Sequence, residues 1–367
     1  MTSLGIALWL SLLFLPFRGI RDAAVLFVSL ATAIPFSHFI VSSIRKMAPH
    51  LDGMKQYFHR SGWGGNRWPG LALLTAVIVL PLVAQDYIID VAVIAGIYII
   101  LALGLNVVVG FTGLLNLGFV AFYAIGAYSY ALLNTKAGMG FWTALPFSVT
   151  LATVAGFLLA APAVRLKGDY LALVTLGFGE IIRLVLNNWD TFTKGPNGIS
   201  GIAPPYFMDM PLARLSHYYY LVLAFVIFTV FVMRRVEDSK AGRAWVAIRE
   251  DEIASAAMGI NTTLYKLYAC AFAAFWAGLA GSLFAAKMRF VSPESFSFME
   301  SVLILCMVII GGLGSITGVI IGAVVLVFLP EMLREVQMYR MLALGCGLVF
   351  VMVFRPQGLF GGRHASS

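Results

Sequence analysis

Residues 91–138 read VAVIAGIYIILALGLNVVVGFTGLLNLGFVAFYAIGAYSYALLNTKAG and carry a single charge, Lys136. A helix needs about 20 apolar residues to cross a bilayer. This run is long enough for two such helices, with GLNVVVGFTGLLNLG (Gly104–Gly118) as a break between them. No further charge occurs through residue 164, and residues 301–330 contain none. Over the whole chain 60% of residues are apolar and 11% charged, against roughly 25% charged in an ordinary soluble domain. The 28 Phe and 36 Gly fit helices packed closely in lipid. Barrel strands alternate apolar and polar residues over about 10 positions, whereas these runs are continuously apolar. The reading is an all-α, polytopic transmembrane helical bundle.

Outward from that stretch, apolar runs predict helices near 3–17, 23–44, 70–85, 88–109, 115–134, 141–164, 169–189, 218–233, 263–286, 299–312, 315–329 and 341–354. Residues 299–329 are long for one span and short for two, so a hairpin of short helices or a broken helix is expected there. In all, 10–12 crossings are expected. The first segment has no basic residue before it and no clear cleavage site, so it reads as a retained helix. Residues 1–69 form a two-helix extension with a basic loop. Residues 70–360 form the main membrane domain, with a polar central loop at 234–262, and 361–367 are a short tail.

Lys and Arg in loops set orientation. Arg45, Lys46, Lys55, Arg60 and Arg67, then Arg165 and Lys167, then Arg234, Arg235, Lys240, Arg243, Arg249 and Lys266, then Arg355 and Arg363 fall on one side by helix parity. That side is read as cytoplasmic, with both termini on it. The net charge of +8 then reflects topology rather than nucleic-acid binding. Cys270, Cys306 and Cys346 lie within apolar runs and read as small buried hydrophobes. The loop 189–217, with TKGPNGISGIAPP, is expected to be a shaped turn, either a connector or a contact for an external partner.

Several polar or small residues stand out inside the membrane segments. Asn106, Thr112 and Asn116 sit in the Gly104–Gly118 break, and GGLGSITG (311–318) is a second break. Irregular backbone at membrane depth lines a cavity or is buried in protein, so these breaks border a pathway or form tight turns between helices. Glu180 and Arg183 share a helix face and read either as a pathway or gate pair or as an internal ion pair. Gly314, Gly318 and Gly322, at i, i+4 and i+8, are expected to form a groove for helix packing. No P-loop, HExxH, GxSxG or CxxC occurs, and the five histidines lack ligand-like spacing. No catalytic residue, metal site or cofactor is expected in this chain.

The polar island Gly242–Ile260, GRAWVAIREDEIASAAMGI, is different in kind. Arg243–Met258 contains helix formers and no Gly or Pro, and Gly259 can close it in a left-handed cap. One short helix is predicted, with Arg249, Glu250, Asp251 and Glu252 spread around it. Trp245 and Ile248 would supply an apolar patch, fit either for docking in a cleft of a soluble protein or for a solvated connector.

The stretches LGLNVVVGFTGLLNLGFVAFYAIGAY, RLKGDYLALVTLGFGEIIR, GPNGIS, GRAWVAIREDEIASAAMGIN, FVSPESF and RPQGL resemble the LivM-type permease subunit of bacterial branched-chain amino-acid ABC importers. The resemblance is collinear from about residue 88 to 360. It implies a LivH-type permease partner, two cytoplasmic ABC ATPase subunits that bind ATP and Mg, a periplasmic binding protein, and location in the bacterial inner membrane. It also implies that Gly242–Ile260 is the coupling helix, with Arg243, Trp245, Arg249, Glu250, Asp251, Glu252 and Gly259 contacting the ATPase. The segment EIASAAMG has one residue more between Glu252 and Gly259 than the general importer motif. A related ABC permease for urea, short amides or another amino acid is the alternative, and an ion-coupled secondary transporter is a further one.

Overall fold

The computed structural model describes residues 77–81, 84–163, 169–207, 210–211, 214–332 and 345. The expected helices 3–17 and 23–44, all of 341–354 but residue 345, most of 70–85, the extension with its loop 45–69, Arg165 and Lys167, Cys346, the RPQGL stretch and the tail fall outside the described residues. The chain divides into two units, Met1–Ile78 and Val79–Ser367. All the helices from residue 86 onward belong to the second unit.

Helix α1 runs Asp86–Asn106 and continues directly into a π-helical turn, Val107–Phe111. α2 is Val120–Ala137, α3 Phe141–Ala163 and α4 Asp169–Asn188. A short helix α5, Asp190–Thr193, precedes α6, Leu215–Glu237. α7 (Lys240–Glu250) and α8 (Glu252–Ala257) form the polar island, and α9 is Thr262–Met288. α10 (Phe298–Gly311) and α11 (Ile316–Met332) complete the described helices. Five of these segments are long and apolar enough to cross a membrane, among them Asp86–Phe111 and Thr262–Met288. The chain is a multi-pass helical membrane protein.

α9 is the central helix, packed on α2, α3 and α1. Its small residues explain why. A Cβ on Gly126 of α2 would strike the backbone of Gly278, and one on Gly281 would strike the Tyr123 carbonyl. Backbones that approach this closely gain dispersion contacts that lipid cannot replace. Ser282 in α9 and Ser148 in α3 share a buried hydrogen bond of 2.8 Å.

Residues 298–332 form a hairpin of short helices, one of the two arrangements expected. At 1.5 Å per residue α10 and α11 are about 21 and 26 Å long, each less than the ~30 Å hydrocarbon core. Gly311 faces Gly318, and Gly322 faces the Met307 carbonyl, which makes the pair antiparallel. The expected triad Gly314–Gly318–Gly322 is therefore corrected. Gly314 lies before α11, in the turn, with φ +81, and the third glycine of the packing groove is Gly311 on the facing helix.

The loop 189–217 is a shaped turn within the described residues. Strand β1 (Ile199–Ser200) pairs antiparallel with β4 (Phe290–Val291), after α9, and β2 (Tyr206–Phe207) pairs with β3 (Met210–Pro211). Lys136 donates to the carbonyls of Thr191 and Phe192 and stands over the Phe192 ring, which fixes the end of α2 to this loop.

Candidate coupling and pathway site

The polar island is two helices, not the single helix Arg243–Met258 expected from composition. The chain breaks at Asp251, whose backbone is extended (φ −154, ψ 110). Its carboxylate accepts from the N–H groups of Ile253 and Ala254 at 2.8 and 2.9 Å. Asp favours such capping over continuing a helix, because its short carboxylate satisfies the free N–H groups of a first turn. Ser239 caps α7 in the same way. Gly259 (φ +87) ends α8. Its N–H bonds to Ala256, and that of Ile260 to Ser255, the paired bonds of a Schellman cap.

Trp245 and Ile248 do not form an outward patch. Trp245 is 3% exposed and Ile248 4%. The Trp245 ring packs against Phe272 of α9, and its Nε1 donates to the Tyr265 carbonyl at 2.8 Å. These residues root α7 on α9 because that face of α7 is its only apolar one. The outward apolar side chains lie on and just after α8 instead: Ile253 is 77% exposed and Met258 84%. Arg243, Arg249, Glu250 and Asp251 are also exposed, and Arg243 donates to the Asp238 carbonyl. Glu252 is turned toward the bundle and pairs with Lys266 of α9 at 2.6 Å. The Lys266 side chain is buried, at 4% exposure, so this carboxylate neutralises a cation that water does not reach.

Arg249 links the island to the first break. Its Nη1 donates to the carbonyl of Gly110, within the π turn, at 2.6 Å. That carbonyl is available because the turn redirects its neighbours: the Thr112 N–H goes to Val107 and that of Leu114 to Val108. The second break arrives at the same place. Asn106 Oδ1 accepts from the N–H of Gly314, in the α10–α11 turn, at 3.0 Å.

Past the π turn, residues 113–117 are irregular and α2 begins only at Val120. Other helices satisfy the freed backbone. The Leu117 N–H donates to Thr175 Oγ1 of α4, and that of Val120 to Ser301 Oγ of α10. Asn116 accepts from the Gly118 N–H, and Thr112 donates to the Val108 carbonyl. Asn106, Thr112 and Asn116 are all buried. Asn116 and Thr175 border a small pocket with Val108, Leu159, Leu171 and Cys270.

Glu180 and Arg183 are paired at 2.8 Å on α4, but not in the interior of this chain. Their side chains are 34% and 35% exposed. Nor is Glu180 alone among membrane-segment carboxylates. Glu300, in the first turn of α10, accepts a hydrogen bond from the Tyr98 hydroxyl at 2.6 Å. Asp90 pairs with Lys287 at 3.0 Å, and Glu331 accepts from Tyr87. Among the described residues no group of His, Cys, Asp and Glu could hold a metal ion. Cys270 and Cys306 are unpaired thiols.

Residues 87–353 match the family described as branched-chain amino acid transport system, permease component. The chain belongs to this permease family. The High-affinity branched-chain amino acid transport system permease protein LivM of Salmonella typhimurium is 46% identical over 312 residues, 79% of this chain and 73% of that protein. LivM of Escherichia coli K12 is similar to the same extent. LivH of Escherichia coli K12 is 24% identical over 72% of this chain and 91% of its own length. No solved structure matches.

The permease thus joins both predicted breaks to its polar island, while Glu180 and Arg183 stand apart as a self-satisfied pair. Lys266, Thr175, Ser301, Tyr98 and Glu300 were missed as partners. Glu300 lies at the start of the run predicted as a helix over 299–312, and nothing in that run points to Tyr98. Lys266 counted only as a loop charge. Neither lies at helical spacing from its partner, so only packing brings the pairs together.

Proposed function

We propose that this chain is the permease subunit through which an ABC importer moves leucine, isoleucine and valine into the cytoplasm. The names of LivM and LivH, both similar to this chain, support that substrate class and a homologous second permease, with the path between the two. ATP and Mg are handled by two separate cytoplasmic ATPase subunits, and an external binding protein delivers the amino acid. The distribution of Lys and Arg supports a cytoplasmic α7–α8 island and cytoplasmic termini in the bacterial inner membrane. Asn106, Thr112 and Asn116 border the path, and Glu180 and Arg183 on the open face of α4 line it or meet the second permease.

The observation that carries this reading is the α7–α8 island. It exposes Ile253 and Met258 at its tip and is tied at its root to membrane helices through Trp245, Arg249 and Glu252. A rigid element with an apolar tip and a charged anchor can transmit force from a soluble motor. ATP binding closes the ATPase pair and displaces the island. The membrane helices then switch from inward-facing to outward-facing, and hydrolysis resets them.

Uptake of labelled leucine by the reconstituted complex tests this. Uptake should need ATP and the ATPase subunits, and valine and isoleucine should compete with it. Uptake that persists without the ATPases overturns the importer reading. Competition by urea or acetamide but not by valine overturns the substrate. The docking surface has its own test. Ile253→Asp with Met258→Asp should lower co-purification of the ATPase subunits at least tenfold, since buried apolar anchors dominate such interfaces. Unchanged co-purification moves the contact elsewhere.

A further inference from the structure

Arg249 occupies an unusual place for a residue on an exposed loop. Two chain segments distant in sequence meet around its side chain: the π turn with the irregular stretch after it, where Gly110 meets the guanidinium and Gly113 the stem, and the hairpin turn at Gly314. A Cβ on Gly113 would lie 3.1 Å from Arg249 Cγ, and one on Gly314 3.5 Å from Nη1. A Cβ on Gly110 would lie 2.6 Å from the Gly314 N and would strike the Asn106 side chain. The three glycines leave room for one arginine and for the Asn106–Gly314 hydrogen bond beside it. A π turn within a helix commonly marks a functional site, and this one directs a carbonyl at a cation on the polar island. Arg249 is in the last turn of α7, two residues before the Asp251 cap of α8, so displacement of the island as a unit pulls directly on its bond to Gly110.

We infer that Arg249 is a positioning residue for transport, the link that carries movement of the α7–α8 island into the broken helix α1–α2 and the α10–α11 turn. It is not a contact for the ATPase. The guanidinium holds Gly110 in the π conformation. When the island moves, the bond to Gly110 is drawn with it, and Asn106 passes the change to the hairpin turn. The two breaks therefore move together rather than independently. This inference rests on the reading of the island as the ATPase-facing element.

The test uses the assembled complex with Arg249→Gln and Arg249→Lys. ATPase subunits should co-purify with Arg249→Gln at the wild-type ratio, while ATP-driven leucine uptake falls roughly tenfold or more, the scale of a lost charge-assisted hydrogen bond. Arg249→Lys keeps a donor for Gly110 and should restore part of the uptake. Hydrogen exchange gives a readout that a merely structural role would not move. Trapping the wild-type complex with ATP should change exchange in residues 106–118 and 311–316 together, and Arg249→Gln should abolish that joint response. Loss of ATPase subunits in Arg249→Gln makes Arg249 a partner contact and overturns the inference. So does uptake at the wild-type level. Failure of the importer reading shows in the wild type, as leucine uptake without ATPases, and overturns the inference with it.

Discussion

α9 and α4 are alike in sequence terms and opposite in structure. Both are long and apolar enough to cross a membrane, yet most of α9 is buried within the chain and most of α4 is not. In water such a difference would show in hydropathy. In a bilayer it does not, because lipid tails solvate a leucine as well as another helix does. What separates the two helices is side-chain size and the partners of polar groups. α9 carries Gly278, Gly281, Ser282 and a run of alanines against its neighbours. α4 presents Tyr170, Leu173, Ile181 and Leu184 outward, beside an ion pair that satisfies itself.

The strongest test of this contrast is the same small change on both helices. A Cβ on Gly281 would meet backbone of α2, at the Tyr123 carbonyl and 2.7 Å from the Ala127 nitrogen. Backbone cannot rotate away, so Gly281→Ala should cost about 3 kcal/mol. Gly177 on α4 has nothing within 4 Å of that position. Gly177→Ala should be neutral or stabilise the isolated chain by up to about 1 kcal/mol through helix propensity. Thermal unfolding of the two variants in detergent measures both. Equal losses would mean that α4 is as tightly packed as α9.

A second test concerns the charge at the root of α9. Glu252→Ala leaves the buried Lys266 ammonium without a counterion, which should cost about 2–3 kcal/mol, somewhat under the usual figure for a fully buried pair because Glu252 is 35% exposed. Adding Lys266→Met should recover most of that loss. The equivalent change on α4, Glu180→Gln, keeps an amide oxygen that can still accept from Arg183 and should cost less, about 1 kcal/mol. A double-mutant cycle on unfolding free energy separates the two cases. A third effect is local. Asp251→Ala removes the cap of α8 and should cost about 1 kcal/mol. It should also raise hydrogen exchange at Ile253 and Ala254 while α9 is unaffected.

Much of the fold was legible because helix-length apolar runs have few alternatives at membrane depth. Length narrowed the 299–329 region to a hairpin of short helices or a broken helix, and packing of Gly311 against Gly318 decided for the hairpin. The break at Gly104–Gly118 was visible in its glycines and asparagines. The division of the polar island was not. Asp251 lies among good helix formers, and whether it continues a helix or caps a new one depends on where α7 must turn to bury Trp245 against Phe272. Gly314 was assigned to the wrong side of a helix start for a related reason: regular glycine spacing does not reveal that a turn intervenes.

Sequence alone settled the membrane class, most of the helix positions among the described residues, the polar island and the permease family. Hydropathy and charge act along the chain and can be read along it. Tertiary packing decided which apolar helix is central, which way Trp245 and Glu252 face, and that Arg249 meets a carbonyl 139 residues away. The physical reason is that lipid removes the hydrophobic distinction between inside and outside. Close backbone approach and the need to satisfy polar groups freed at each break are left to arrange the helices, and both depend on residues far apart in the chain.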